Sequence, residues 1–154
     1  MSVSRRPDEL VPGFHDVYVL ARDRTAATAQ RFLSAFAPHR EQSAVDYCFP
    51  QYSERPSTIL TSADDAIRRC ESHPLESQSL YFRNLGSGAK HAMLFFTADG
   101  GLVLGLSVEV EPDEMFLKLR EHARSETGYI DFEAPAPNTV VEFREICQRR
   151  ATST

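Results

Sequence analysis

The sequence predicts an α+β fold, a single mainly antiparallel β-sheet with helices packed on one face to make a two-layer sandwich. Three observations predict it. Residues 90–110, KHAMLFFTADGGLVLGLSVEV, read as one long β-hairpin: Ala92, Leu94 and Phe96 alternate with Met93 and Phe95, Asp99-Gly100-Gly101 supplies the turn, and Leu102 to Val110 runs back. Apolar stripes at helical spacing stand between strand-like runs on either side of it. The 154 residues are 42% hydrophobic with 10 Phe, enough to bury one core in one domain.

The elements follow in order. Residues 1–13 are polar, end in Val11-Pro12-Gly13, and read as a flexible N-terminal arm, with a single domain over 14–148 and a frayed tail over 149–154. Asp16 to Leu20 alternate as a first strand. Asp23 or Thr25 can cap a helix whose Ala29, Phe32, Leu33 and Phe36 form one apolar stripe, and Pro38 stops it. Ala44 to Phe49 read as a second strand, so that strand, helix and strand can form a crossover unit with parallel strands. Ser57 to Leu60 suit a short edge strand. Ser62 and Asp65 form a capping-box pattern ahead of Ala63, Ala66, Ile67 and Cys70, the buried face of a second helix. Gln78 to Arg83 is the strand leading into the hairpin. After it, Pro112, Asp113 and Glu114 open a helix with inner residues Met115, Phe116, Leu119 and Ala123, and Gly128 is its expected C-cap. Tyr129 to Glu133 is a last strand and Thr139 to Cys147 a short closing helix.

Strand alternation separates two faces. Val17, Val19, Leu80, Phe82, Leu104, Leu106, Val108, Ile130 and Phe132 are expected inward. Asp16, Tyr18, Asp46, Tyr81, Arg83, Ser107, Glu109, Tyr129, Asp131 and Glu133 are expected on the outer face, which is tyrosine and carboxylate with little lysine.

Composition excludes several activities. A net charge of -5 argues against nucleic acid, whose phosphates need clustered Lys and Arg. Three scattered cysteines without a CxxC pair suit a reducing cytoplasm better than a disulfide framework. Arg5-Arg6 is followed by Pro7, Asp8 and Glu9 where a signal sequence would turn apolar, and no run of about 18 apolar residues could span a membrane. Gly86-Ser87-Gly88-Ala89-Lys90 lacks the spacing and following helix of a phosphate loop and reads as a hairpin turn. The five histidines stand singly, no metal-ligand spacing or GxSxG elbow occurs, and neither a cofactor nor a catalytic residue is assigned.

Tyr81-Phe82-Arg83-Asn84, the run His91 to Thr97, Asp99 to Val108, and Gly128-Tyr129-Ile130-Asp131-Phe132-Glu133 together resemble small bacterial immunity proteins of polymorphic toxin systems, over the second half of the chain. The resemblance implies a cytoplasmic protein that neutralises a cognate toxin by binding it. The residue reading joins it at the outer face: Tyr81, Glu109, Asp131 and Glu133 are the expected protein-binding residues, because tyrosine anchors interfaces and opposite charge steers partners together. The competing expectation is a small-molecule site or small enzyme around His91, Glu109 and Tyr81. A third is a homodimer joined through the sheet.

Overall fold

A computed structural model describes residues 13–152 as an α+β sandwich built on one antiparallel sheet. Twelve elements occur in chain order: β1 (His15–Leu20), α1 (Ala26–Phe36), β2 (Arg40–Gln42), β3 (Tyr47–Phe49), β4 (Thr58–Leu60), α2 (Ala63–Ser72), β5 (Gln78–Asn84), β6 (His91–Phe96), β7 (Leu102–Val108), α3 (Pro112–Ala123), β8 (Gly128–Phe132) and α4 (Val140–Thr152). Six strands order as β2-β5-β6-β7-β1-β8, and β3 and β4 pair separately as a small two-stranded ribbon. No described helix is long and apolar enough to cross a membrane.

The hairpin is the centre of the sheet. Leu94 pairs with Leu104 and Phe96 with Leu102, so Ala98-Asp99-Gly100 form a three-residue loop with Gly100 at φ 92. This is the hairpin form in which a left-handed residue closes the turn, a conformation that favours glycine. Leu94, Phe96, Leu102, Leu104 and Leu106 thereby share one face, with Val17, Val19, Leu80 and Phe82. They pack against Phe32 and Leu33 of α1, Ala66 and Ile67 of α2, and Leu119 of α3. Thr25 and Ser62 cap α1 and α2 through their hydroxyls, as the sequence pattern requires.

Arg24 fastens this layer. Its buried guanidinium donates five hydrogen bonds to backbone carbonyls: Nε to Cys70 (2.9 Å), one terminal nitrogen to Thr97 (2.6 Å) and Gly101 (3.0 Å), the other to His73 (3.2 Å) and Glu76 (2.5 Å). Every donor of the side chain is used, and the carbonyls at the end of α2 are tied to the hairpin tip.

Several expectations are corrected. The second strand expected over 44–49 shrinks to β3 at Tyr47–Phe49, in the smaller sheet; an extra strand, β2, precedes it and ends at Gln42, and Asp46 lies in the connection between them rather than on the outer face. The expected parallel crossover therefore does not form: β3 belongs to the other sheet, and β1 takes β7 and β8 as antiparallel neighbours. β4 pairs with β3 and not with the main sheet. Phe132 is 41% exposed at the end of the edge strand, its ring against His15. The C-cap of α3 is Arg124 at φ 52, while Gly128 opens β8 beneath Phe116. Gly13 is buried beside β8; the rest of the predicted arm, and residues 153 and 154, lie outside the described residues. The closing helix runs on to Thr152.

That helix also adds cover that strand alternation alone does not reveal. Phe143 is fully buried on the sheet face opposite α1, α2 and α3, with Tyr18, Leu20, Met93, Phe95, Val103 and Tyr129. Its N-terminus is held by the hairpin tip: the Asp99 carboxylate accepts from the N–H of Val140 (2.7 and 2.9 Å) and Val141 (3.3 Å), and Thr139 Oγ1 accepts from Glu142.

Candidate functional site

Directly opposed residues of antiparallel neighbours project from the same face, so the registers lay the outer face out in rows. One row is polar and crosses the whole sheet: Asp131, Asp16, Ser107, His91, Arg83 and Glu41, from β8 through β1, β7, β6 and β5 to β2. The next row is aromatic, with Tyr129, Tyr18, Gly105, Met93 and Tyr81. A third, Leu20, Val103, Phe95 and Ser79, is mostly apolar. α4 takes cover over the apolar end, where Phe143 meets Tyr129 at a ring separation of 5.0 Å. The polar end is left open.

The open end is a groove of about 530 Å³. Tyr18 and Met93 form its floor, drawn together over Gly105; a side chain there would put its Cβ 2.8 Å from the Tyr18 ring and 3.2 Å from Met93 Cε. One wall is Glu133-Ala134-Pro135, and the other is Tyr81 with Ser43. Phe14, Asp16, His91 and Ser107 complete the lining.

The first wall is fixed by four hydrogen bonds. The Tyr18 hydroxyl donates to the Ala134 carbonyl, and the Ala134 N–H donates to Asp16 Oδ2 (3.0 Å). The N–H of Phe14 donates to Glu133 Oε2, and that of Glu133 to the Phe14 carbonyl, both at 3.2 Å. The second wall is fixed by ring packing. Phe143, Tyr129, Tyr18, Phe95 and Tyr81 form a continuous chain of ring contacts 5.0 to 5.7 Å apart, ending at the 38% exposed Tyr81. Such contacts orient a ring at little entropic cost. One of the four described non-glycine residues with positive φ, Glu133 (φ 48), lines the groove; a second, the exposed Tyr52 (φ 66), lies outside the lining but near enough to Tyr81 to influence its hydroxyl. Backbone held in that region needs support from its surroundings and concentrates where side chains must be presented.

Electrostatics distinguish the groove from an ordinary wet sheet face. Asp16 is only 7% exposed. Burial pushes its carboxyl above the usual aspartate range, against hydrogen bonds from Ser107 and Ala134, and the nearby Asp131 and Glu133 add to the rise. Burial also raises the Tyr81 hydroxyl, with smaller contributions from Tyr52 and Asp16. No lysine or arginine lines the groove among the described residues. Nor do the described residues hold any His, Cys, Asp and Glu cluster able to bind a metal. Cysteine nucleophiles fare no better: burial pushes the Cys70 thiol up to about 12 and raises Cys147 as well.

The residues singled out from sequence are distributed unequally. Tyr81 and Glu133 face each other as opposite walls of the groove. Asp131 lies beside Asp16 in the polar row but is engaged by Arg150 of α4 (3.4 Å). Glu109 sits apart, in a separate depression with Glu111, Glu114 and Lys118, and pairs with Lys90 at 3.7 Å. His91 and Tyr81 do share the groove, without Glu109. Asp16 and Met93 were not singled out. A usable signal existed in the mirrored pairs Asp16-Val17-Tyr18 and Tyr129-Ile130-Asp131, which antiparallel pairing places side by side.

Comparisons with protein-family models, curated proteins and solved structures returned no match.

Proposed function

We propose that this protein is a non-enzymatic binding domain that takes part of a partner protein into the outer-face groove, acting as an immunity protein that neutralises a cognate toxin. The observation that carries the reading is the half-covered sheet face. α4 seals one end of it, and the other end keeps a floor of Tyr18 and Met93, one acidic wall and an exposed tyrosine rim. A sheet face with no binding role would bury Tyr81 under the same helix, as it does Met93, or carry lysine and threonine there. Rigid aromatic anchors inside a polar rim are the anatomy of a protein-binding centre. The working residues are Tyr81 and Glu133, with Asp16 beneath them; Asp131 supports Arg150, and Glu109 belongs to the periphery.

Co-expression with the product of the adjacent gene tests the reading. Expected is a toxic product, neutralised and bound by the wild-type chain and released by the pair Tyr81→Ala and Glu133→Lys. A harmless, unbound neighbour sinks it. The cavity volume and the buried Asp16 favour one alternative, a small-molecule site centred on Asp16, His91 and Tyr81. Thermal stabilisation by a metabolite, lost in Asp16→Asn, would favour that alternative.

A further inference from the structure

The groove's guest can be specified by chemistry, given the binding role proposed above, and the molecule contains its own template. On β8, Tyr129 and Asp131 are two residues apart on the outer face, and Arg150 of α4 occupies both: its guanidinium lies 5.0 Å from the Tyr129 ring centroid and 3.4 Å from the Asp131 carboxylate. On the adjacent β1, Tyr18 lies opposite Tyr129 and Asp16 opposite Asp131, so the same tyrosine-and-carboxylate step is repeated one strand further in. Here no cation of the described chain lines the site. The repeat differs from its template in one respect: Tyr18 is fully buried, and the exposed ring is Tyr81 across the floor, while Glu133 adds a second carboxylate.

We infer that the groove binds an arginine side chain presented by the partner protein, with the guanidinium between the Tyr81 ring and the carboxylates of Asp16 and Glu133 and its methylene stem along Met93. Charge complementarity selects a cation. A flat ring facing two carboxylates across a narrow floor suits the planar, weakly hydrated guanidinium better than the compact ammonium of lysine. The state of Asp16 agrees: a buried carboxylate beside two other acids gains most from a cation that arrives with the partner.

The test is an NMR titration of the full chain with N-acetyl-arginine amide, run beside its citrulline and lysine counterparts. Expected are saturable shifts at Tyr81, Met93 and His91 with the arginine compound, and binding at least about tenfold weaker for the uncharged citrulline compound and weaker for lysine. Asp16→Asn with Glu133→Gln should abolish the shifts with an unchanged fold by amide spectrum. No saturable shift, or equal response to arginine and citrulline, overturns the inference. If the arginine compound fails while Tyr81→Ala still releases the partner protein, the binding role stands and only this guest is wrong. Binding of arginine with no effect of groove substitutions on the partner would instead remove the role.

Discussion

The two ends of the outer sheet face are built from the same strands and treat their carboxylates in opposite ways. At the covered end, Asp99 sits on the hairpin tip and caps α4. Burial works against its charge, but the N–H groups of Val140 and Val141 and the Thr97 hydroxyl together hold its carboxyl below the usual range. At the open end, Asp16 is buried beside Asp131 and Glu133, and its carboxyl is held above that range. The first charge stabilises the fold; the second is carried at a cost to it. A carboxyl whose charge its surroundings disfavour marks the open end, and under the binding role proposed above a partner completes the electrostatics there.

Substitutions can break or sharpen this contrast. The largest effect is expected at the covered end: Phe143→Ala removes a fully buried ring that seats α4 and should cost about 3–5 kcal/mol in urea unfolding. A loss below about 1 kcal/mol would mean that α4 contributes little cover. Next, Asp99→Ala removes a cap supplied from another part of the chain and should cost about 1 kcal/mol at neutral pH. Because the folded Asp99 value lies below the ordinary 3.8, that stability is fully present above it and is lost as pH falls through the folded value. Wild type and variant should therefore converge in thermal melts taken at progressively lower pH. The smallest effect has the opposite sign. Asn at position 16 keeps an acceptor for Ala134 and removes the charge, so Asp16→Asn should raise the melting temperature slightly at neutral pH. The advantage should vanish as pH falls through the raised Asp16 value, where the wild-type carboxyl is already neutral in the folded state. A lower melting temperature at neutral pH would show that the charge at Asp16 supports the fold, ending the contrast.

Much of the inner layer was legible. The stripes of α1 and α2, the caps at Thr25 and Ser62, and the inward set from Val17 to Val108 are local patterns, and local patterns are what residue spacing reports. Phe132 failed because alternation gives a side chain's direction but not whether anything lies over it at a sheet edge. The stretch 44–49 failed because a strand-like run says nothing about which sheet it joins. Of the candidate groove, residue type and face pointed to Tyr81 and Glu133, which line it, while Glu109 shares their parity and still lies in another depression beyond the end of β7.

By itself the sequence determined the class of fold, the hairpin at its centre and the parity of nearly every strand residue, because each depends on periods of two to four residues. Only the tertiary structure decided which half of the outer face stays open. That choice rests on Asp99 reaching 41 residues along the chain to cap α4, and on Ala134 folding back onto Tyr18 and Asp16 more than 100 residues away. Contacts at such separations leave no period in a sequence, and they convert a row of side chains into a groove.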